Sequence, residues 1–162
     1  MKKSNTGRLP IAYLAALSVF AIGVSAVSVH AEVAQRPEIV DIAAGAELYQ
    51  DNCAACHGEK LEGQPNWRDK KEDGTLPAPP HDETGHTWHH GDGLLFEITK
   101  IGGKAALANR GILDFKSGMP AFEESLSDQE IWNVLSYIRS TWPERVQEMQ
   151  SGRTDAEKLY GN

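Results

Sequence analysis

Cysteine is scarce in this chain of 162 residues: only Cys53 and Cys56 occur. Two thiols are too few for a cysteine-rich zinc site, which would need more thiols or well-spaced histidines. A thioredoxin-like pair would call for a strand-helix-strand context, and the pattern around these two cysteines is helical. Basic side chains are also in short supply, 16 Lys and Arg against 23 Asp and Glu. Three of the basic residues, Lys2, Lys3 and Arg8, precede Ala31. Without them 13 basic residues face 23 acidic ones, a net charge of −10, which excludes nucleic acid as the expected partner. Charge is missing altogether from Ile11 to Val29, a run rich in Ala, Val, Leu and Ile.

What is present centres on Cys53-Ala54-Ala55-Cys56-His57. Two thiols three positions apart, followed at once by an imidazole, form the attachment signature of c-type haem. On one helical turn the thiols can reach the two vinyl groups and form thioethers, while His57 ligates the iron. The other face of the iron needs a ligand too, and a Met thioether opposite a His raises the potential towards useful electron carriage. Met119, in Gly118-Met119-Pro120-Ala121-Phe122, is the candidate; Met149 lies in a polar stretch and is a poor one.

From about Ala43 to Trp142 the sequence resembles a class I cytochrome c. The resemblance rests on Gly45-x-x-Leu48-Tyr49-x-x-x-Cys53-Ala54-Ala55-Cys56-His57-Gly58, a Pro-rich turn, Gly118-Met119-Pro120-Ala121-Phe122 and a closing helix. It implies an all-α cytochrome c fold, with one covalent haem c enclosed by crossing N- and C-terminal helices plus short helices and loops. It further implies that a Pro carbonyl after the haem motif holds the second nitrogen of His57, with Pro79 the first choice and Pro80 the alternative. Gly45 and Tyr49 would pack against the C-terminal helix.

The pattern divides the chain into a signal peptide or N-terminal membrane anchor (1–31), a linker (32–40), a cytochrome c domain (41–142), and a short helix with a flexible tail (143–162). The basic start, the apolar run and Val29-His30-Ala31 suit a secretory signal cleaved after Ala31. The run is also long enough to remain as an anchor, so membrane association through residues 9–29 stays open. Either way the soluble part is expected outside the cytoplasm, in the periplasm, where the resemblance places covalent haem attachment. Asp41 is a candidate cap for a helix reaching about Asn52. Asp92 is expected to cap a helix with Leu94, Leu95, Ile98 and Ile101 on its apolar face, ended by Gly102-Gly103. A second short helix follows around Lys104 to Asn109, and Ile112, Leu113 and Phe115 are expected to line the haem crevice. Ser127-Asp128-Gln129-Glu130 reads as a capping box for a helix that stops near Trp142, before Pro143.

His81 to His90 holds four of the six histidines. It reads as a loop packed by Trp88 over the haem, as a copper or zinc site built from His86, His89 and His90 with His81 as a further candidate, or as the source of a distal His in place of Met119. Trp67 and Arg68 either cover the porphyrin and its propionate or form a solvated pair. Lys100, Lys104, Arg110 and Lys116 form either a solvated face or a basic rim that orients a partner. The expected function is an electron carrier between redox proteins, not an enzyme in itself, though possible as a subunit of an oxidoreductase complex. Two alternatives stand beside it: an exported haem protein with a copper-binding His cluster, and a haem enzyme with a labile Met119 bond.

Overall fold

The computed structural model describes residues 33–160 and is all-helical, with no strand among the described residues. The expectation of a cleaved signal or membrane anchor falls outside them. Among the described residues no helix is long and apolar enough to cross a membrane.

Helix α1 spans Ile42–Asn52, and Asp41 caps it by accepting from the Ala44 N–H at 3.0 Å. Helix α2, Ala54–His57, follows at once and carries the attachment motif. Two further helices, α3 (Asp92–Ile101) and α4 (Gly103–Asn109), lead to α5, Asp128–Ser140. The start of α5 is a complete capping box: the Ser127 hydroxyl accepts from the Glu130 N–H, and the Glu130 carboxylate accepts from the Ser127 N–H at 2.8 Å. Such a box satisfies two backbone donors that a helix start otherwise leaves without partners.

The crossing of α1 and α5 organises the core. Gly45 is what lets them approach, since a Cβ there would lie 2.1 Å from the Asn133 carbonyl oxygen on α5. One turn on, Tyr49 is fully buried, with its ring 5.6 Å from that of Tyr137 and its hydroxyl donating to the Gly58 carbonyl at 2.9 Å. Around Tyr49 gather Cys53, Ala54, Leu61, Val134, Ile138, Trp142 and Val146. A second cluster joins Phe96, Leu126, Ile131, Trp132 and Leu135, with the Phe96 and Trp132 rings stacked at 4.5 Å.

Two expectations need correction. Gly91, not Asp92, is the N-cap of α3. Asp92 sits buried in the first turn because its carboxylate is bound by Arg36 at 2.6 Å and by the Gln150 amide at 2.7 Å. Helix α3 accordingly buries Phe96 and Thr99, and leaves Leu94, Leu95, Ile98 and Ile101 half-buried. The second correction concerns the C-terminus. In place of a short helix and a flexible tail, Glu144–Tyr160 is one helix, α6, of 17 residues. It is held by a polar seam: Gln150, Thr154 and Glu157 are buried, the Asp92 N–H donates to Thr154 Oγ1 at 3.1 Å, and the Gly93 N–H donates to the Glu157 carboxylate at 2.9 Å.

Candidate haem site

The attachment motif is placed by the end of α1 and the single turn of α2. The Cys53 N–H donates to the Tyr49 carbonyl, and the His57 N–H donates to the Cys53 carbonyl at 2.9 Å, so the three functional side chains leave one helical turn. Cys53 is buried and Cys56 exposed. Burial, with a smaller contribution from Cys56, pushes the Cys53 thiol up to about 11, so it rests protonated. Helix α2 ends at Gly58, whose φ of +86° turns the chain back under the motif.

The long connection after Gly58 is pinned to the motif by its own backbone. Gly63 N–H donates to the His57 carbonyl (2.7 Å), Gln64 N–H to the Ala78 carbonyl (2.8 Å) and His81 N–H to the Leu61 carbonyl (2.7 Å). A Cβ on Gly63 would stand 2.4 Å from the Pro80 nitrogen, so only glycine lets the two arms of this loop meet. This closure sets the Pro79 carbonyl 2.8 Å from Nδ1 of His57. A carbonyl only accepts, so Nδ1 carries the proton and Nε2 keeps its lone pair. Burial lowers the pKa of His57, opposed in part by the Pro79 bond, so the ring is neutral near pH 7. A neutral imidazole with one nitrogen anchored and the other free is the state a metal requires. Pro80, the alternative, instead accepts from Thr87 Oγ1 at 3.4 Å.

The structure thus brings Cys53, Cys56, His57 and Pro79 together. Met119 is half-buried beside a cavity of about 330 Å³ lined also by Ile101, Gly102, Lys104, Ala105, Ala108 and Ala121. Its main chain is fixed at both groups, the N–H donating to Ser117 Oγ at 3.1 Å and the carbonyl accepting from the Gly103 N–H at 3.2 Å. The stretch before it presents Ile112, Leu113 and Phe115 to the outside, 49%, 74% and 40% exposed. Apolar side chains so exposed on one stretch suit contact with a large apolar group. With the thiol pair and the free Nε2, they make the residues present a fit for a haem.

The histidine-rich loop does not converge on a metal. His86 stacks on Trp67 with centroids 5.2 Å apart, His89 stacks on Trp88 at 3.6 Å, and His90 meets His86 edge-on at 5.5 Å. Among the described residues no group of three metal-ligating side chains is placed to hold an ion. Arg68 lies over the Trp67 ring, 3.9 Å from its centroid, so these two residues join the ring stack. Of the basic run, Lys100 pairs with Asp128 at 2.8 Å, Arg110 with Glu97 and Glu157, and Lys116 donates to the Asp73 carbonyl at 3.0 Å. Three of its four charges therefore serve contacts within the chain.

Sequence reasoning named His81 only as a candidate metal ligand and missed its contact with His57. Its ring lies flat against His57, centroids 4.0 Å apart and planes 23° from parallel, and its Nδ1 meets Thr87 Oγ1 at 2.8 Å. Burial first, then the neighbouring His57 and His86, holds its pKa well below the usual imidazole value. Only its proximity in sequence to Pro79 could have signalled the contact.

A crossing helix pair that carries a thiol-pair haem motif, with an anchored imidazole beside it, defines a protein of the c-type haem class. The sequence model of the cytochrome c family matches residues 42–142, and the chain belongs to that family. Its members carry covalently attached, iron-containing haem c and transfer electrons with it. The chain is 30% identical over 109 residues to a thiosulfate dehydrogenase of Stutzerimonas stutzeri (strain A1501), a stretch covering 67% of this chain and 30% of that protein. The chain thus spans less than a third of that relative's length. No solved structure matches it.

Proposed function

We propose that this chain is an exported, periplasmic monohaem carrier whose iron is held by His57 and Met119, and that it passes single electrons between redox proteins. The observation that carries the reading is the Pro79 carbonyl on His57 Nδ1, which leaves Nε2 as the free donor. The haem supplies a one-electron iron couple. Cys53 and Cys56 would fix its edge by thioethers, His57 would hold one axial position, and Met119, steadied by Ser117 and Gly103, would supply a soft sulfur for the other. Such a pair raises the potential relative to two imidazoles and leaves no open position for oxygen or peroxide. Ile98, Ile101, Ile112, Leu113 and Phe115 would keep water from the porphyrin.

A second reading concerns the setting. The relative named thiosulfate dehydrogenase is much longer than its matching stretch, which favours a carrier that works as a subunit or partner of a larger oxidoreductase. The deciding experiment is the ferric absorption spectrum of the haem-loaded protein with a redox titration, on wild type and Met119→Ala. Expected are the long-wavelength charge-transfer band of a sulfur-ligated haem in wild type, its loss in the variant, and a lowered midpoint. Absence of the band in wild type, with ready binding of an added ligand such as cyanide, would replace the carrier by an enzyme with an open iron. Localisation is checked by cell fractionation and by the N-terminal sequence of the mature chain.

A further inference from the structure

We propose that His81 is a positioning residue for the axial imidazole, a flat backstop that fixes the ring plane of His57. The inference rests on the reading of His57 as an iron ligand.

A hydrogen bond on Nδ1 holds one point of an imidazole but leaves the ring free to rock about the line through that bond. Fixing the plane takes a contact perpendicular to the ring. The turn after the loop supplies both constraints from the residues on either side of Pro80: the Pro79 carbonyl on His57 Nδ1 at 2.8 Å, and the His81 ring against its face with centroids 4.0 Å apart. His81 is itself held on several sides. Nδ1 meets Thr87 Oγ1 at 2.8 Å, the main-chain N–H donates to the Leu61 carbonyl, the main-chain carbonyl accepts from Trp142 Nε1 at 2.7 Å, and the Tyr49 ring lies T-shaped to it with centroids 6.2 Å apart. Trp142 and Tyr49 both belong to the core around the α1 and α5 crossing. The backstop is therefore tied to the buried core, and outer partners of this kind orient metal-bound histidines. An aliphatic side chain could fill the space, but it would not present a flat face.

The test uses haem-loaded wild type, His81→Phe, His81→Leu and Thr87→Val. Low-spin ferric electron paramagnetic resonance reads the orientation of the axial ligand planes; redox titration reads the potential, and thermal unfolding monitors the fold. The inference expects His81→Phe to keep the wild-type g values, since a ring face remains. It expects His81→Leu to shift and broaden the largest g value and to move the midpoint. Thr87→Val, which frees the backstop without removing it, should broaden the signal less than His81→Leu, and it serves as the decisive variant if His81→Leu does not fold. Wild-type g values and midpoint in His81→Leu, or in Thr87→Val where that variant decides, would overturn the inference while leaving His57 as ligand. A wild-type spectrum without a nitrogen-ligated low-spin signal would instead overturn the ligand assignment, and this inference with it.

Discussion

His90 shows how one half-buried ring makes stability depend on pH. Burial, then the neighbouring His86, His89, Arg153 and Arg110, pushes its pKa down to about 4. In the unfolded chain the same group titrates near 6.5. Between these values the unfolded chain takes up a proton that the folded chain refuses. The stabilisation associated with neutral His90 is therefore complete above about pH 6.5 and is lost progressively as the pH falls towards 4. Urea unfolding across that window should give midpoints that fall with acidification, and His90→Gln should flatten the fall; equal slopes would show that His90 is not the group responsible. At this scale the site divides by what a sequence can carry. The thiols and His57 follow from spacing alone, and Pro79 follows from resemblance. The His81 stack depends on how a loop of more than twenty residues closes, through Gly63 against Pro80, which no spacing rule encodes.

Among the elements, the α1 and α5 crossing is the one whose geometry a single atom can break. A Cβ on Gly45 would meet main-chain atoms of Asn133 at 2.1 and 2.6 Å, and backbone in a helix interior cannot swing aside as a side chain can. Gly45→Ala gains helix propensity, a few tenths to about 1 kcal/mol, but forces the helices apart, and overpacking of this kind typically costs about 1–3 kcal/mol. The expected result is a net loss of stability in denaturant unfolding, together with altered fluorescence from Tyr49 and Tyr137; unchanged stability would mean the crossing has slack. The crossing was legible because its signals are local: Asp41 at the cap, the Ser127 and Glu130 box, and apolar side chains three and four apart. Helix α3 was legible in extent but not in rotation, because Asp92 is drawn inward by partners at positions 36 and 150 that no local pattern reveals. Helix α6 was hidden for a related reason. Its inward face is Gln150, Thr154 and Glu157, and a search for apolar periodicity does not register a helix that docks through hydrogen bonds.

For the whole molecule, that docking decides whether the 17 residues of α6 belong to the folded unit. Gln150, 1% exposed, sits at the centre of the seam. Its amide donates to Asp92 at 2.7 Å, to Thr154 Oγ1 at 3.2 Å and to the His90 carbonyl at 3.4 Å, and its oxygen accepts from Arg139 Nε at 3.3 Å. One side chain thereby links α6 to the start of α3, to the end of α5 and to the histidine loop. Gln150→Ala would leave buried polar groups short of partners, at a cost of about 1–3 kcal/mol. Arg139 would still be held by Gln147 and Ser151, and Asp92 by Arg36, so the loss should fall on the latch and spare the haem-bearing core. Hydrogen exchange should then quicken in residues 144–160 while the amides of α1 and α5 keep their protection and the haem spectrum is unchanged. Faster exchange throughout the chain would mean that α6 and the core unfold as one cooperative unit, and no change in α6 would mean that Val146 and Trp142 hold it without the seam.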